Sequence, residues 1–555
     1  MRNNNNLMDR NFSDAEKRKV VCSEAGSGHA VANLKCLIVR SGREALLSDT
    51  IALVSDKYSS IDVISDKTFN DKRIIKTYEN LIIEQYVVYS TDVSLRQVKY
   101  DDVIILLDLK RYSPFSYDKF IRFVKNDINY KNILFYDGVC FQSYFKFTCK
   151  IYFKSFSFRS SLKKIHYHLV GFILFFILSL IKPIKKICFL VFNNASRIGH
   201  LAANTDVFLR RKSLFRDNSI YFGVIGKDVM IANSQLLKMI KRKIFIVKSE
   251  LLYVILHNSI LFRSEYFKDL MCCYFKSSIE YYEFDNVNSK IEFTKEEGEK
   301  GAQLLKKMGI DSWFVCFHAR DSLYLKSTFP DKNLSYHDFR DFDIETMIPA
   351  MEYISKQGGY ALRVGSVVEK PLMEYGNPRI IDYATKYRSD FMDIYLASKC
   401  KFFVGCNAGL FLVYRLFNKP VVTVNNIPFM HLGVSKDELW IPKKLWNNER
   451  NEYLSYREIY SSDYALSLHS HEYENRKLVP VNNSPDEILK VVIEMNNRCD
   501  NKINYSEKEQ ELQKTFVNIT KLNKYYYNSP TRIGSDFLKD NIDLIHEKII
   551  NIQSR

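Results

Sequence analysis

The chain has 555 residues, 46% of them hydrophobic, which is too long for one core and apolar enough for about two to four domains. Its 81 basic and 64 acidic side chains leave a formal charge of +17, which points to an anionic partner: nucleic acid, anionic lipid or a phosphorylated substrate. Eleven cysteines without a Cys-x-x-Cys pair argue against a zinc cage or a disulfide framework and for a reducing cytoplasm.

Residues 1–17 are rich in asparagine and charge and lack an apolar core, so disorder is expected there and a secretory leader is not. From 18 to 145 short β-branched runs alternate with helical patterns. Strands are expected at Cys36 to Val39, Ile61 to Ile64, Val103 to Leu107 and Asn132 to Tyr136, with helices near Asn70 to Glu84 and Ser116 to Asn126. That alternation defines an α/β domain. Gly26-Ser27-Gly28-His29 has the form of a phosphate loop, but a lone Gly-x-Gly-His carries little information and a mobile loop is the plainer reading.

The next segment, 146–185, is distinctive. No Asp or Glu occurs from Gly138 to Thr205, whereas lysines flank an uncharged run from Leu169 to Ile181. A spanning helix needs roughly 17 to 25 apolar residues, and this run is shorter. The expectation is a segment lying in an anionic membrane surface, with a buried core helix or a true span as the alternatives.

From Lys186 onward strands and helices alternate as in a doubly wound domain, with one lobe over 186–294 and a second over 295–500. In the first, the strand at Ile187 runs into a polar loop holding Arg197, Gly199 and His200, followed by a helix from Leu201 to Arg211. In the second, the apolar run Trp313 to Phe317 stops at His318-Ala319-Arg320-Asp321-Ser322. Lys401 to Gly405 stops at Cys406-Asn407-Ala408-Gly409. Strand ends of this kind line the ligand crevice of an open parallel sheet. The planar fork of Arg320 suits two phosphate oxygens, and the turn between Gly405 and Gly409, with the Asn407 amide, presents donors to an anion. His200 is a candidate base or phosphate ligand, with Asp206 as the second candidate base, though a mid-helix acid is expected to be solvated. Asp341 and Asp343 form the one Asp-x-Asp; they precede a helix and are expected to cap it, so no metal site is assigned. Asp343 to Gly358 is expected as one helix, and the chain after Pro428 as looser until Ser484-Pro485-Asp486-Glu487 opens another. The tail 501–555 is polar and helical in pattern.

Arg197-Ile198-Gly199-His200-Leu201-Ala202, Phe317-His318-Ala319-Arg320-Asp321-Ser322, Arg363-Val364-Gly365, Ser389-Asp390-Phe391-Met392-Asp393 and Asn483-Ser484-Pro485-Asp486-Glu487-Ile488 together resemble a family of bacterial glycosyltransferases found with surface-polysaccharide genes. More remotely, His318-Ala319-Arg320 is similar to the His-x-Arg element of GT-B fucosyltransferases that work without a metal. The resemblance covers about Lys186 to the C-terminus. It implies a GT-B-like fold of two Rossmann-type lobes facing a cleft, preceded by the N-terminal α/β region. It also implies a nucleotide-diphosphate sugar as co-substrate, no further cofactor, and a glycan or lipid-linked acceptor at the inner face of the membrane, without nucleic acid. Arg320 would be catalytic on the donor phosphates, and His318, Arg363, Gly365, Asp393, Gly405, Asn407 and Gly409 would bind the donor. Arg197, Gly199 and His200 would lie on the acceptor side, His200 as base. Glycine-turn enzymes of this type often carry Ser or Thr where this chain has Cys406-Asn407. A nucleotide-sugar 2-epimerase on the same fold and a non-catalytic basic protein binding membrane or nucleic acid are the competing readings.

Overall fold

The computed structural model describes residues 34–40, 57–65, 99–106, 129–136 and 141–143 with scattered residues between them, then 165–270, 286–328, 333–373, 376–430, 433–522 and 529–545, together with 283 and 284. The segments 1–17 and Gly26 to His29, and the two helices expected before residue 130, lie outside the described residues. The chain divides into two compact units, with the boundary between Phe156 and Ser157.

The first unit is built on β1 (Lys35–Arg40), β2 (Ser60–Ser65), β3 (Lys99–Leu106), β4 (Asn129–Tyr136) and β5 (Phe141–Ser143), in the order β2-β1-β3-β4-β5. The four expected strands are parallel, and β5, which has no clear signature, pairs antiparallel with β4. Cys36, Ile38, Val63, Ile104 and Leu106 fill the core. Asp102 is tolerated at its edge because the Tyr58 hydroxyl and the Asn132 amide donate to it.

The second unit opens with α1 (Ile165–Ile181), then β6 (Ile187–Val191), α2 (Ile198–Leu214), β7 (Ile220–Ile225), α3 (Ser234–Lys241), β8 (Phe245–Lys248), α4 (Glu250–Asn258) and β9 (Phe267–Asp269). These strands form a parallel sheet in the order β8-β7-β6-β9. The following residues supply α5 (Lys295–Lys307), β10 (Phe314–Phe317), α6 (Ile348–Lys356), β11 (Tyr360–Arg363), β12 (Ile380–Asp382), α7 (Asp390–Lys399), β13 (Phe403–Gly405), α8 (Phe411–Leu416), β14 (Val421–Asn426) and β15 (Leu439–Pro442). A small antiparallel sheet follows, from β16 (Lys444–Asn447), β17 (Glu452–Tyr453) and β18 (Leu478–Val481). The chain continues through α9 (Pro485–Cys499) and α10 (Glu507–Thr520) to β19 (Arg532–Ile533). The larger sheet is parallel, in the order β12-β11-β10-β13-β14-β15-β19, so the order reverses between β10 and β13.

Local chemistry explains most boundaries. Thr294 and Glu297 close a capping box at α5, as Ser484 and Glu487 do at α9, where Pro485 costs no hydrogen bond. The helix expected from Asp343 is two elements. A 3-10 turn at Ile344–Met347, capped by Asp343, precedes α6, because Pro349 lacks an N–H and fits only the first turn of an α-helix. The helix expected from Leu201 starts at Ile198, so Gly199 and His200 lie in its first turn rather than in a loop. The stretch after Pro428 is not loose: β15 to β18 escaped notice because strands of two to four residues show almost no alternation. The tail contributes an edge strand to the large sheet, and Phe537 and Leu538 are buried in its core.

The two parallel sheets of this unit are joined through α2 and α8. A Cβ on Gly199 would lie 2.7 Å from the Cα of Gly409 and 2.9 Å from its carbonyl oxygen. Backbone cannot yield as a side-chain tip does, so Gly199→Ala should cost about 1–3 kcal/mol in chemical denaturation. Gly298→Ala is the control: in the first turn of α5 with open space around it, it should gain about 0.5–1 kcal/mol.

Candidate functional site

In a parallel sheet all carboxyl ends emerge on one edge, and a ligand crevice opens where strand order reverses. His318 to Arg320 follow β10 and Cys406 to Gly409 follow β13, the two strands that flank the reversal. On the same edge, Lys443 follows β15.

Arg320 is buried. One guanidinium nitrogen donates to the His337 carbonyl at 3.1 Å and lies against the Asp341 carboxylate. Its Nη2 is buried without a hydrogen-bond partner. Arg340 donates to the Asn407 carbonyl at 3.4 Å, and its Nε is likewise buried and unpartnered. Burial, then the nearby Arg320, brings the Arg340 pKa down to about 10. Lys443 donates to the carbonyls of Phe339 (2.8 Å) and Asp341 (3.4 Å). Burial and the Arg320 charge push its pKa down to about 8. His337 is driven to about 3 by burial and by Arg340, Arg320 and Arg197, and its Nδ1 is buried and unpartnered. Such unmet donors cost roughly 1–3 kcal/mol each, and the mutual repulsion adds to that. An anion with several oxygens has the chemistry to satisfy the guanidinium donors among them.

His318 is 3.0 Å from the Val364 carbonyl through Nδ1, and burial lowers its pKa to about 4. It is therefore a neutral imidazole donating from Nδ1, which fixes the loop after β10. Gly365 lies beside that ring. The Asn407 amide donates to Asn426 and is spent within the fold; it is the Asn407 carbonyl that faces Arg340. Gly405 faces the Phe403 ring and the His318 carbonyl, and Gly409 faces Gly199. The absence of a Cβ at these glycines thus makes room for close protein contacts. The Cys406 thiol is buried, and burial raises its pKa although Arg320, Arg340 and Lys443 all pull it down.

Arg197 and His200 stand at the start of α2, where Gly199 abuts Gly409, and the field of Arg197 reaches both Arg340 and His337. His200 Nδ1 lies 3.5 Å from Asn204 Nδ2, and burial, then Arg197, lowers its pKa. Arg363 and Asp393 are engaged elsewhere. Arg363 pairs with Asp382 at 3.0 Å and donates to the Lys370 carbonyl. Asp393 accepts from the Tyr383 hydroxyl at 2.7 Å and pairs with Arg388; burial still raises it to about 6. Asp206 is not solvated: it is fully buried, paired with Arg210 at 2.7 Å and bonded by Ser289. Asp343 caps the 3-10 turn and pairs with Lys370, whereas Asp341 meets Arg320 rather than capping. Among the described residues no group of three His, Cys, Asp or Glu side chains could hold a metal ion.

Sequence reasoning missed Arg340, His337 and Lys443. The signal for Lys443 was there in the run Leu439 to Pro442, an apolar strand that ends on a basic residue just as Phe317 leads to Arg320.

The fold and the site define an α/β protein built mainly on parallel sheets, with a buried cluster of cations at a topological switch point. No protein-family model and no curated protein matches the sequence. Among solved structures, similarity is found to a glycosyl transferase family 9 protein from Veillonella parvula (10% identity, 74% of this chain and 86% of that chain, TM-score 0.22). It extends to the E. coli ADP-heptose LPS heptosyltransferase II (11% identity, 74% and 90%, TM-score 0.20). A third is the E. coli heptosyltransferase WaaC with ADP-2-deoxy-2-fluoro heptose (9% identity, 74% and 93%, TM-score 0.20).

Proposed function

We propose that the second unit is a GT-B-like glycosyltransferase that takes a sugar from a nucleoside diphosphate and passes it to a glycan or lipid-linked acceptor, at the cytoplasmic face of a membrane. One observation carries this reading: Arg320, Arg340 and Lys443 converge at the switch point with buried donors left over. Three fixed cations suit a diphosphate, whose charge grows as the sugar–phosphate bond breaks. In this reading Arg320 and Arg340 hold the departing phosphate oxygens and Lys443 adds a point charge, so the field is supplied without a metal. His318 keeps Arg320 in place from behind. His200, its pKa lowered, is neutral at pH 7 and takes the acceptor hydroxyl proton through its other ring nitrogen, Nε2.

A thermal-shift panel of nucleoside diphosphates and nucleotide sugars tests the donor class, since a ligand at about 100 times its Kd adds about 2.7 kcal/mol of apparent stability. A flat panel rejects the reading. Lys443 gives a pH signature. It is cationic below about pH 8 and neutral above, so nucleoside diphosphate binding should weaken as pH rises through that value. Lys443→Met should bind more weakly at pH 7 and lose the step, as titration calorimetry at several pH values would show. Because the folded pKa is depressed, the same group makes the free protein more stable as pH climbs from about 8 toward the ordinary lysine range.

A further inference from the structure

The surface of α1 is inverted. Gly171, Phe175 and Leu178 form the face that docks on the protein. A Cβ on Gly171 would overlap Ser259, the Phe175 ring meets Tyr266 edge-on at 5.8 Å, and the Tyr266 hydroxyl reaches Ser179 at 3.2 Å. Lys182, just past the helix, and Lys186 both pair with the buried Glu265. The helix is thus fixed rigidly by a narrow stripe. The opposite face, where a surface helix normally carries charge, holds Leu169, Ile173, Phe176 and Leu180, spaced four, three and four residues apart and 61%, 50%, 50% and 63% exposed. Ile184 continues the stripe at 86% exposed. Contiguous exposed apolar surface of this kind marks an interaction site.

We infer that this face is a docking surface for an anionic lipid bilayer, in which α1 lies parallel to the membrane plane. Three features choose this occupant. Seventeen residues at about 1.5 Å each make about 25 Å, short of the roughly 30 Å hydrocarbon core, and no helix among the described residues is long and apolar enough to cross a membrane. The sequence around the helix is wholly basic: Lys163 and Lys164 precede it, Lys185 is exposed just after it, and no acid occurs from Gly138 to Thr205. An apolar face flanked in sequence by lysines and by no acid matches acyl chains below and anionic headgroups beside it. A second copy of the chain fits less well, because a two-fold contact would bring together the flanking lysines of both copies. The inference does not depend on the donor site.

The test is co-sedimentation of the full chain with vesicles of phosphatidylcholine alone or mixed with phosphatidylglycerol. The protein should pellet with the mixed vesicles, and high salt should release it only in part, since apolar burial survives screening. The combined variant Leu169→Gln, Ile173→Gln, Phe176→Gln, Leu180→Gln should lower the bound-to-free ratio about tenfold or more while its thermal unfolding is retained. A single Phe176→Trp variant, whose added fluorescence should be quenched by brominated lipid in the mixed vesicles, reads the same contact without perturbing the helix. Absence of pelleting, equal pelleting of the fourfold variant, or Phe176→Trp fluorescence indifferent to brominated lipid overturns the inference. So does light scattering that shows the wild type as a stable dimer and the fourfold variant as a monomer, which would assign the face to a second copy.

Discussion

Arg320→Ala should reduce turnover by a factor of about 100 to 1000, the loss usual when one preorganised donor to developing charge, worth about 3–4 kcal/mol, is removed. The residue follows β10 at the edge where strand order reverses, and its Nη2 is buried without a hydrogen-bond partner, which leaves a donor for a ligand to take. Arg320→Lys keeps the charge but loses the planar fork, and it should also be severely impaired. The fold should survive either change, because the partner left behind, Asp341, is 22% exposed in its side chain and can be rehydrated. His318→Ala should be milder, since His318 holds the loop through the Val364 carbonyl. The measurements are steady-state rates with the nucleotide sugar that the thermal-shift panel identifies, and calorimetric binding of its nucleoside diphosphate. A folded Arg320→Ala protein with near-normal turnover would remove the donor-site assignment.

Asp206→Ala should destabilise the second unit by about 3–5 kcal/mol, because it leaves a buried guanidinium without its counter-charge. Arg210 has no exposed surface. Its Nε pairs with Asp206, its Nη2 donates to Asn418 at 2.7 Å and to the Leu416 carbonyl at 3.3 Å, and its Nη1 meets the Val287 carbonyl. The pair lies within α2, and its outward bonds, from Arg210 to Leu416, Asn418 and Val287 and from Ser289 to Asp206, tie that helix to the end of α8 and to the segment before α5, so the loss should appear as a cooperative shift in urea unfolding. The double variant Asp206→Leu, Arg210→Met removes both charges and should recover much of the stability, because two apolar side chains avoid the desolvation cost. A double variant no better than the single one would show that the carbonyl contacts of Arg210, not its charge pair, hold the joint.

Both experiments turn on residues the sequence displayed unequally. Arg320 was legible because an apolar run of strand length ended on it, and strand ends are where parallel sheets place ligands. The burial of Asp206 was not legible: an acid four residues before an arginine in a helix reads as a solvated surface pair, and the groups that enclose this one, Ser289 on Asp206 and Asn418 on Arg210, come from distant stretches of chain. Arg363 and Asp393 show the converse. Their short motifs suggested a ligand, yet Asp382 and Tyr383, only 19 and 10 residues away, engage them.

By itself the sequence determined the local elements, because apolar periodicity, capping boxes and proline placement are short-range properties: the core strands of both units, and α9 with Ser484, Pro485 and Glu487. Only the tertiary structure decided which of these elements meet. Arg320 and Lys443 share one site because β10, β13, β14 and β15 stand in one parallel sheet, a long-range order that no local pattern encodes, and Arg340 joins them from the 3-10 turn Ser335–Arg340. The same holds for α1. A helix that is apolar on every side has no periodicity to say which face is buried, and only its contacts with Ser259 and Tyr266 show that the stripe through Phe176 is the one left to the outside.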